Sequence, residues 1–178
     1  MTAVARPNAQ GPGPRRRLWV WGGAAALMLF PVVALRMSDG AAGDVGDFMF
    51  LAILLAGVGI AYELAARIGP RHAYRAALGV ALAAGFLHLW INLAVGIIGH
   101  EENPANLIYV AVIVVAVVGA ALARFRPMGM ARAMVAAAIA QVLVFAVALA
   151  AGLGFTGPIT VFFAALWLIS ASLFRKAA

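Results

Sequence analysis

Three polar side chains fall inside long apolar runs, where they could act together. His88 and Asn92 are four residues apart and therefore share one face of a helix, and Gln141 lies near the middle of a later run. Polar groups buried in lipid are costly and often functional, so the trio predicts a midplane site for a proton or a small substrate, with His88 as the titrating group. The simpler alternative is hydrogen bonding between helices, worth about 0.6–2 kcal/mol per contact.

A buried histidine could also be an axial ligand of haem b. His72 and His100 lie at opposite ends of the run that carries His88, so the chain offers one midplane ligand and no haem is predicted. The absence of cysteine excludes disulfides, thiolate metal sites and thiolate nucleophiles. No cofactor is therefore expected from the apolar runs.

Glu63 and Arg67 are spaced for a helical ion pair near the end of an apolar run. The pair is typical of charged side chains that extend toward a membrane interface. The alternative is an intramembrane carboxylate in a proton path.

One short loop concentrates acidic residues. Asn103 suits a helix N-cap and Pro104 the first helical position, because proline's missing donor is not needed there. The carboxylates and the histidine that we expect on this side of the membrane could instead bind a divalent cation, through carboxylate oxygens and one imidazole. The candidate ligands are His100, Glu101, Glu102, Asp44 and Asp47.

The elements that position these residues are six apolar runs. Hydrophobic residues make up 66% of the 178 residues and charged residues 11%, and the mean hydropathy is +1.03. A helix of about 20 apolar residues crosses a bilayer, and only helices and closed barrels satisfy their backbone there. The runs are Leu18–Leu35, Phe48–Ile68, Ala76–Ile98, Ala105–Phe125, Met130–Leu153 and Pro158–Phe174.

This pattern predicts an all-α integral membrane bundle of six transmembrane helices in residues 17–178, after a disordered basic tail in residues 1–16. The first run follows three arginines and could alternatively be a signal peptide. Its length of about 18 residues and the weak cleavage site after it favour an uncleaved helix.

The charges predict the orientation. Twelve of the thirteen basic residues flank the runs on one side, and five of the six acidic residues lie on the other. Because Lys and Arg are retained in the cytoplasm, we expect a bacterial inner-membrane protein with both termini cytoplasmic. The net charge of +7 then favours an anionic inner leaflet as partner, with no nucleic acid.

Two hairpins share a sequence pattern. Five residues around the turn between the second and third runs recur 57 positions later, around the turn between the fourth and fifth: Ala66, Arg67, Pro70, Arg75 and Ala76 become Ala123, Arg124, Pro127, Arg132 and Ala133. The recurrence suggests two parallel helical hairpin repeats, as in some transporters. Alternatively, cytoplasmic turns simply collect arginine and proline.

The segments INLAVGIIG, ENPAN and ARFRPMGMA together resemble an uncharacterised family of small bacterial inner-membrane proteins with no known activity. The resemblance covers roughly the second to fifth runs and implies their topology only.

Three functions remain in order of preference. The first is an accessory or structural subunit of a larger membrane complex or homo-oligomer, and the second is a small transporter or channel that uses the His88, Asn92 and Gln141 cluster. A membrane enzyme ranks last, because the cytoplasmic side offers only Glu63 as a carboxylate.

Overall fold

The computed structural model describes residues 45–68 and 72–178, and this part of the chain is helical without strands. Its helices are α1 (Val45–Ile68), α2 (His72–Ala94), α3 (Leu107–Leu122), α4 (Pro127–Ala150) and α5 (Gly157–Lys176). A 3-10 turn, Pro104–Asn106, leads into α3. The all-helical class is confirmed for these residues. The first apolar run and the N-terminal tail lie outside them, so the count of six helices stays a prediction.

Four of these segments are long and apolar enough to cross a membrane: His72–Ala94, Pro104–Leu122, Pro127–Ala150 and Gly157–Lys176. In α1 the apolar stretch is Ala52–Glu63. The chain divides into two units, residues 1–53 and 54–178, and α2 to α5 belong to the second. These helices are those of a helical membrane bundle.

Helix α2 ends four residues before the predicted limit at Ile98. The amides of Val95 and Gly96 both bond to the carbonyl of Ile91, at 3.1 and 2.9 Å, and Gly96 takes a φ of +80°. The apolar residues that follow therefore belong to a loop. Their hydrophobicity continues the pattern of the helix, but the backbone turns at the glycine.

The bundle is built from adjacent antiparallel pairs. Helix α2 packs on α5, α5 on α4 and α4 on α3, whereas α2 and α3 touch more sparsely. Small residues bring α3 and α4 close together, since a Cβ built on Gly119 would lie 2.8 Å from the Cβ of Ala133. Between α2 and α5 the hydroxyl of Ser170 donates to the carbonyl of Ala77 at 2.8 Å.

At one end of the bundle, Tyr74 contacts two other elements. Its hydroxyl donates to the carbonyl of Phe125 at 2.9 Å, and its ring meets that of Phe174 edge-on at 5.2 Å. Phe125 and Arg124 have positive φ angles of 58° and 48°, which make the turn between α3 and α4 tight. The start of α2, this turn and the end of α5 therefore share one end.

The predicted hairpin repeat is not decided by this architecture. The turn of its second copy is described above, but residues 69–71, which join α1 to α2, lie outside the described part of the chain. The repeat stays a prediction.

Candidate functional site

His88 lies in the centre of the bundle with its side chain fully buried. Its ring is tilted against Phe163 of α5, with centroids 4.5 Å apart, and faces Tyr109 of α3 at 5.9 Å. Within residues 45–68 and 72–178, neither ring nitrogen makes a hydrogen bond of normal geometry, and the backbone of Tyr109 lies close to the ring. The imidazole is thus held between aromatic rings, and within the described residues neither of its nitrogens makes a hydrogen bond of normal geometry.

Gln141 of α4 is also fully buried, and no hydrogen bond reaches its amide oxygen or nitrogen from the described residues. The register of α3 against α4 is set by the contact of Gly119 with Ala133. Counting eight residues along each antiparallel helix places Gln141 level with Ala111, whose neighbour Val112 is fully buried, and Gln141 is fully buried as well. The carboxamide therefore lies in the interior of the bundle.

The packing of α4 against α5 also indicates where Gln141 lies along the bundle axis. One apolar groove on this pair is lined by Val135, Ala138, Ile139, Val142, Leu143, Ala164 and Leu168. Ala138 and Leu168 line the same groove, and an antiparallel register that pairs them puts Gln141 between the levels of Phe163 and Trp167. Because Phe163 contacts His88, this register puts Gln141 near the level of His88, and no hydrogen bond joins the two side chains.

Two residues of this region were missed by sequence reasoning. Thr160 and Trp167 lie on the buried stripe of α5 and are 4% and 2% exposed. The hydroxyl of Thr160 and the indole nitrogen of Trp167 have no partner in the described part of the chain. The available signal was their spacing from Phe163, three and four residues away, which places all three on one face.

Asn92, unlike His88 and Gln141, donates a hydrogen bond from its side chain. It is buried, and its side-chain nitrogen donates to the backbone carbonyl of Asn106 at 2.9 Å. Its carboxamide nitrogen therefore ties α2 to the start of α3.

Residues 95–106, which we call the asparagine loop, are organised around Asn106. The side-chain oxygen of Asn106 accepts from the amides of Ile97 and Ile98 at 2.9 and 2.7 Å. Its side-chain nitrogen donates to the carbonyl of His100 at 2.8 Å. The loop is thus folded around one buried carboxamide, and Ile97 and Ile98 are buried beneath it with Tyr109.

Asn103 and Pro104 adopt their predicted roles. The side chain of Asn103 caps the 3-10 turn by accepting from the amide of Ala105 at 3.0 Å, and Pro104 occupies its first turn. Asn103 also donates to the carbonyl of Ile98 at 3.1 Å. These bonds join the two sequence segments INLAVGIIG and ENPAN into one structure.

Tyr109 fixes the same end of the bundle to α5. Its hydroxyl is hydrogen-bonded to that of Thr156, with the two oxygens 2.5 Å apart. Both residues are buried, so this bond links α3 to the start of α5 in the interior.

The predicted cation ligands are only partly described. His100, Glu101 and Glu102 are exposed on the asparagine loop, while Asp44 and the side chain of Asp47 lie outside the described residues. Among the residues that are described, no three His, Asp or Glu side chains group as metal ligands. The five-residue cation site stays a prediction.

The predicted ion pair is also undecided. Glu63 is exposed near the end of α1, and the side chain of Arg67 lies outside the described part. The pair stays a prediction.

No protein-family model, curated protein or solved structure matches the chain. The resemblance of its sequence segments to a family of small membrane proteins therefore stays a prediction, and the functional argument rests on the chain's own residues.

Proposed function

We propose that the chain is an accessory or structural subunit of a bacterial inner-membrane assembly, either a larger complex or a homo-oligomer. The observation that carries the proposal is the use of polar groups at the ends of the bundle. Asn92, Asn106 and Tyr74 are all bonded to backbone groups of other elements. Such bonds hold helices in a fixed arrangement, which is what a packing subunit requires.

The charge distribution supports a cytoplasmic location for both termini. Tyr74 contacts Phe125 and Phe174, so the start of α2, the turn after α3 and the end of α5 share one end of the bundle. Six basic residues of the described chain lie at this end: Arg75, Arg124, Arg126, Arg132, Arg175 and Lys176. Glu101 and Glu102 lie on the asparagine loop at the opposite end. In this proposal the basic end faces the cytoplasm and the anionic headgroups of the inner leaflet.

The test is native mass spectrometry of the full chain, expressed from its own locus and extracted gently from its own membrane. A subunit should be recovered in a stoichiometric assembly, and its deletion should lower the assembled fraction of the other components. Recovery of the monomer alone, with the other membrane complexes unchanged by deletion, would contradict the proposal.

A second candidate is a small transporter or channel that uses the midplane site of His88, Asn92 and Gln141. It is favoured by the complete burial of His88 and Gln141 without hydrogen-bond partners in the described chain. Evolution rarely retains unpaired polar groups in a membrane interior without a use for them.

Proton flux tests this candidate. Full-length protein in liposomes with an imposed pH gradient should dissipate the gradient faster than empty liposomes. His88→Phe should abolish the excess rate, whereas Ser172→Ala, a change at an exposed position of α5, should keep it. An excess rate that survives His88→Phe would remove His88 from the path.

A further inference from the structure

Four side chains from three helices form what we call the polar layer: His88 of α2, Gln141 of α4, and Thr160 and Trp167 of α5. Each is at most 4% exposed. Together they carry six buried polar atoms that make no hydrogen bond of normal geometry with the described residues: Nδ1 and Nε2 of His88, Oε1 and Nε2 of Gln141, Oγ1 of Thr160 and Nε1 of Trp167.

So many unsatisfied atoms are incompatible with a stable bundle. Each buried polar group without a partner costs the desolvation of that group, and the summed cost is comparable with the whole free energy of unfolding of a small domain. In a membrane the cost is not relieved by contact with lipid. The atoms therefore need partners that the neighbouring side chains of the described residues do not provide.

The chemistry of the four groups selects the partner. Neutral histidine and glutamine each carry donors and acceptors, threonine carries both on one oxygen, and tryptophan is a donor only. The four side chains carry no carboxylate, and Tyr109 beside His88 is already bonded to Thr156. A neutral molecule that both donates and accepts matches this set, whereas a cation or an anion would lack a countercharge.

The layer also has little side-chain volume on α2. Ala84 and Gly85 lie one turn before His88, and a Cβ built on Gly85 would lie 3.8 Å from Trp167, which is ordinary contact. Ala137 lies one turn before Gln141 on α4. A buried water needs a small polar cavity, and we expect one beside these small side chains.

We propose that the polar layer is an internal hydration site, at which buried water bonds to side chains of α2, α4 and α5 and so joins the three helices. This goes beyond a packing role and does not depend on it, because it concerns a binding site inside the bundle. Water in this position is part of the structure, and each molecule satisfies two to four polar groups.

Water-edited solid-state NMR tests the proposal on the full-length protein in lipid bilayers. The indole N–H of Trp167, assigned by its loss in Trp167→Phe, should receive magnetisation from water at short mixing times. The methyl group of Ala77, which is fully buried in the apolar part of the core, serves as internal control and should receive none.

Two apolar replacements of similar size complete the test. Gln141→Leu and His88→Phe should each weaken the transfer to Trp167 at least twofold and lower the Tm, because the remaining groups lose a bridging water. The second variant keeps the test valid if the first does not fold. Ser172→Ala should leave both the transfer and the Tm unchanged.

The opposite results would overturn the proposal. An absence of transfer to Trp167 in the wild type means that the layer is dry, whatever the Tm of the variants. A transfer that persists at full strength in both Gln141→Leu and His88→Phe means that the water contacting Trp167 is not held by the polar layer.

Discussion

The asparagine loop and the polar layer differ in the hydrogen bonding of their buried polar side chains. In the loop every polar atom of the Asn106 side chain has a partner, and these partners are backbone groups within nine residues. In the polar layer the side chains come from three helices far apart in sequence, and six of their atoms have no partner in the described chain. Polar residues that satisfy backbone groups build the fold, whereas those left over are the ones available for binding.

The largest expected effect is that of breaking the loop at its centre. Asn106→Ala leaves the buried amides of Ile97 and Ile98 without their acceptor, and an unsatisfied buried group costs about 1–3 kcal/mol. We therefore expect the free energy of unfolding, measured by SDS titration in mixed micelles, to fall by about 2–6 kcal/mol.

Asn103→Ala is the matched control for this change. Asn103 is partly exposed and acts as an N-cap, whose loss costs about 1 kcal/mol. If the two variants unfold with equal free energies, Asn106 is not the centre of the loop and the comparison with the polar layer fails.

The same contrast explains what the sequence could predict. Asn103 and Pro104 were predicted because capping is local and involves residues two positions apart. Asn106 was not, because its side chain bonds to amides eight and nine residues earlier, and these come within reach only after Gly96 has turned the chain. Residues 95–98 have the hydrophobicity of a helix, so composition alone could not end α2 at Ala94.

Two of the four residues of the polar layer could be predicted from the sequence. His88 and Gln141 are conspicuous in apolar runs, and the apolar runs themselves place them near the middle of their helices. Thr160 and Trp167 are ordinary residues of membrane helices, and only the packing of α5 against α2 gives their burial meaning. Asn92 shares a face with His88 as predicted, but tertiary contacts direct its amide to Asn106.

Two glycines of the asparagine loop provide an intermediate effect. Gly96 and Gly99 have φ angles of +80° and +72°, so alanine at either costs about 1–2 kcal/mol in backbone energy. A Cβ on Gly96 would also collide with the carbonyl group of His100, whereas one on Gly99 meets only the Asn103 side chain at 3.6 Å. Gly96→Ala should therefore lower the Tm clearly more than Gly99→Ala.

This pair separates backbone strain from close packing within one loop. Equal shifts of the Tm in the two variants would mean that the turn at Gly96 opens to admit a methyl group. The rigid folding of the loop around Asn106 would then be contradicted, and its end of the bundle would resemble the polar layer in being adaptable.

The smallest effect concerns a hydroxyl that is satisfied within the helical core. Ser170 donates to the carbonyl of Ala77, and α2 already uses that carbonyl in its own backbone ladder, so Ser170→Ala leaves no buried group without a partner. A hydrogen bond between membrane helices is worth about 0.6 kcal/mol on average, and we expect a loss of that size in the same SDS titration. Ser172 bonds to the carbonyl of Ile169 within its own helix and is exposed, so Ser172→Ala should cost less. A loss of several kcal/mol in Ser170→Ala would show that one satisfied bond between α2 and α5 stabilises the bundle as much as the asparagine loop does, and the distinction between the ends and the interior of the bundle would no longer hold.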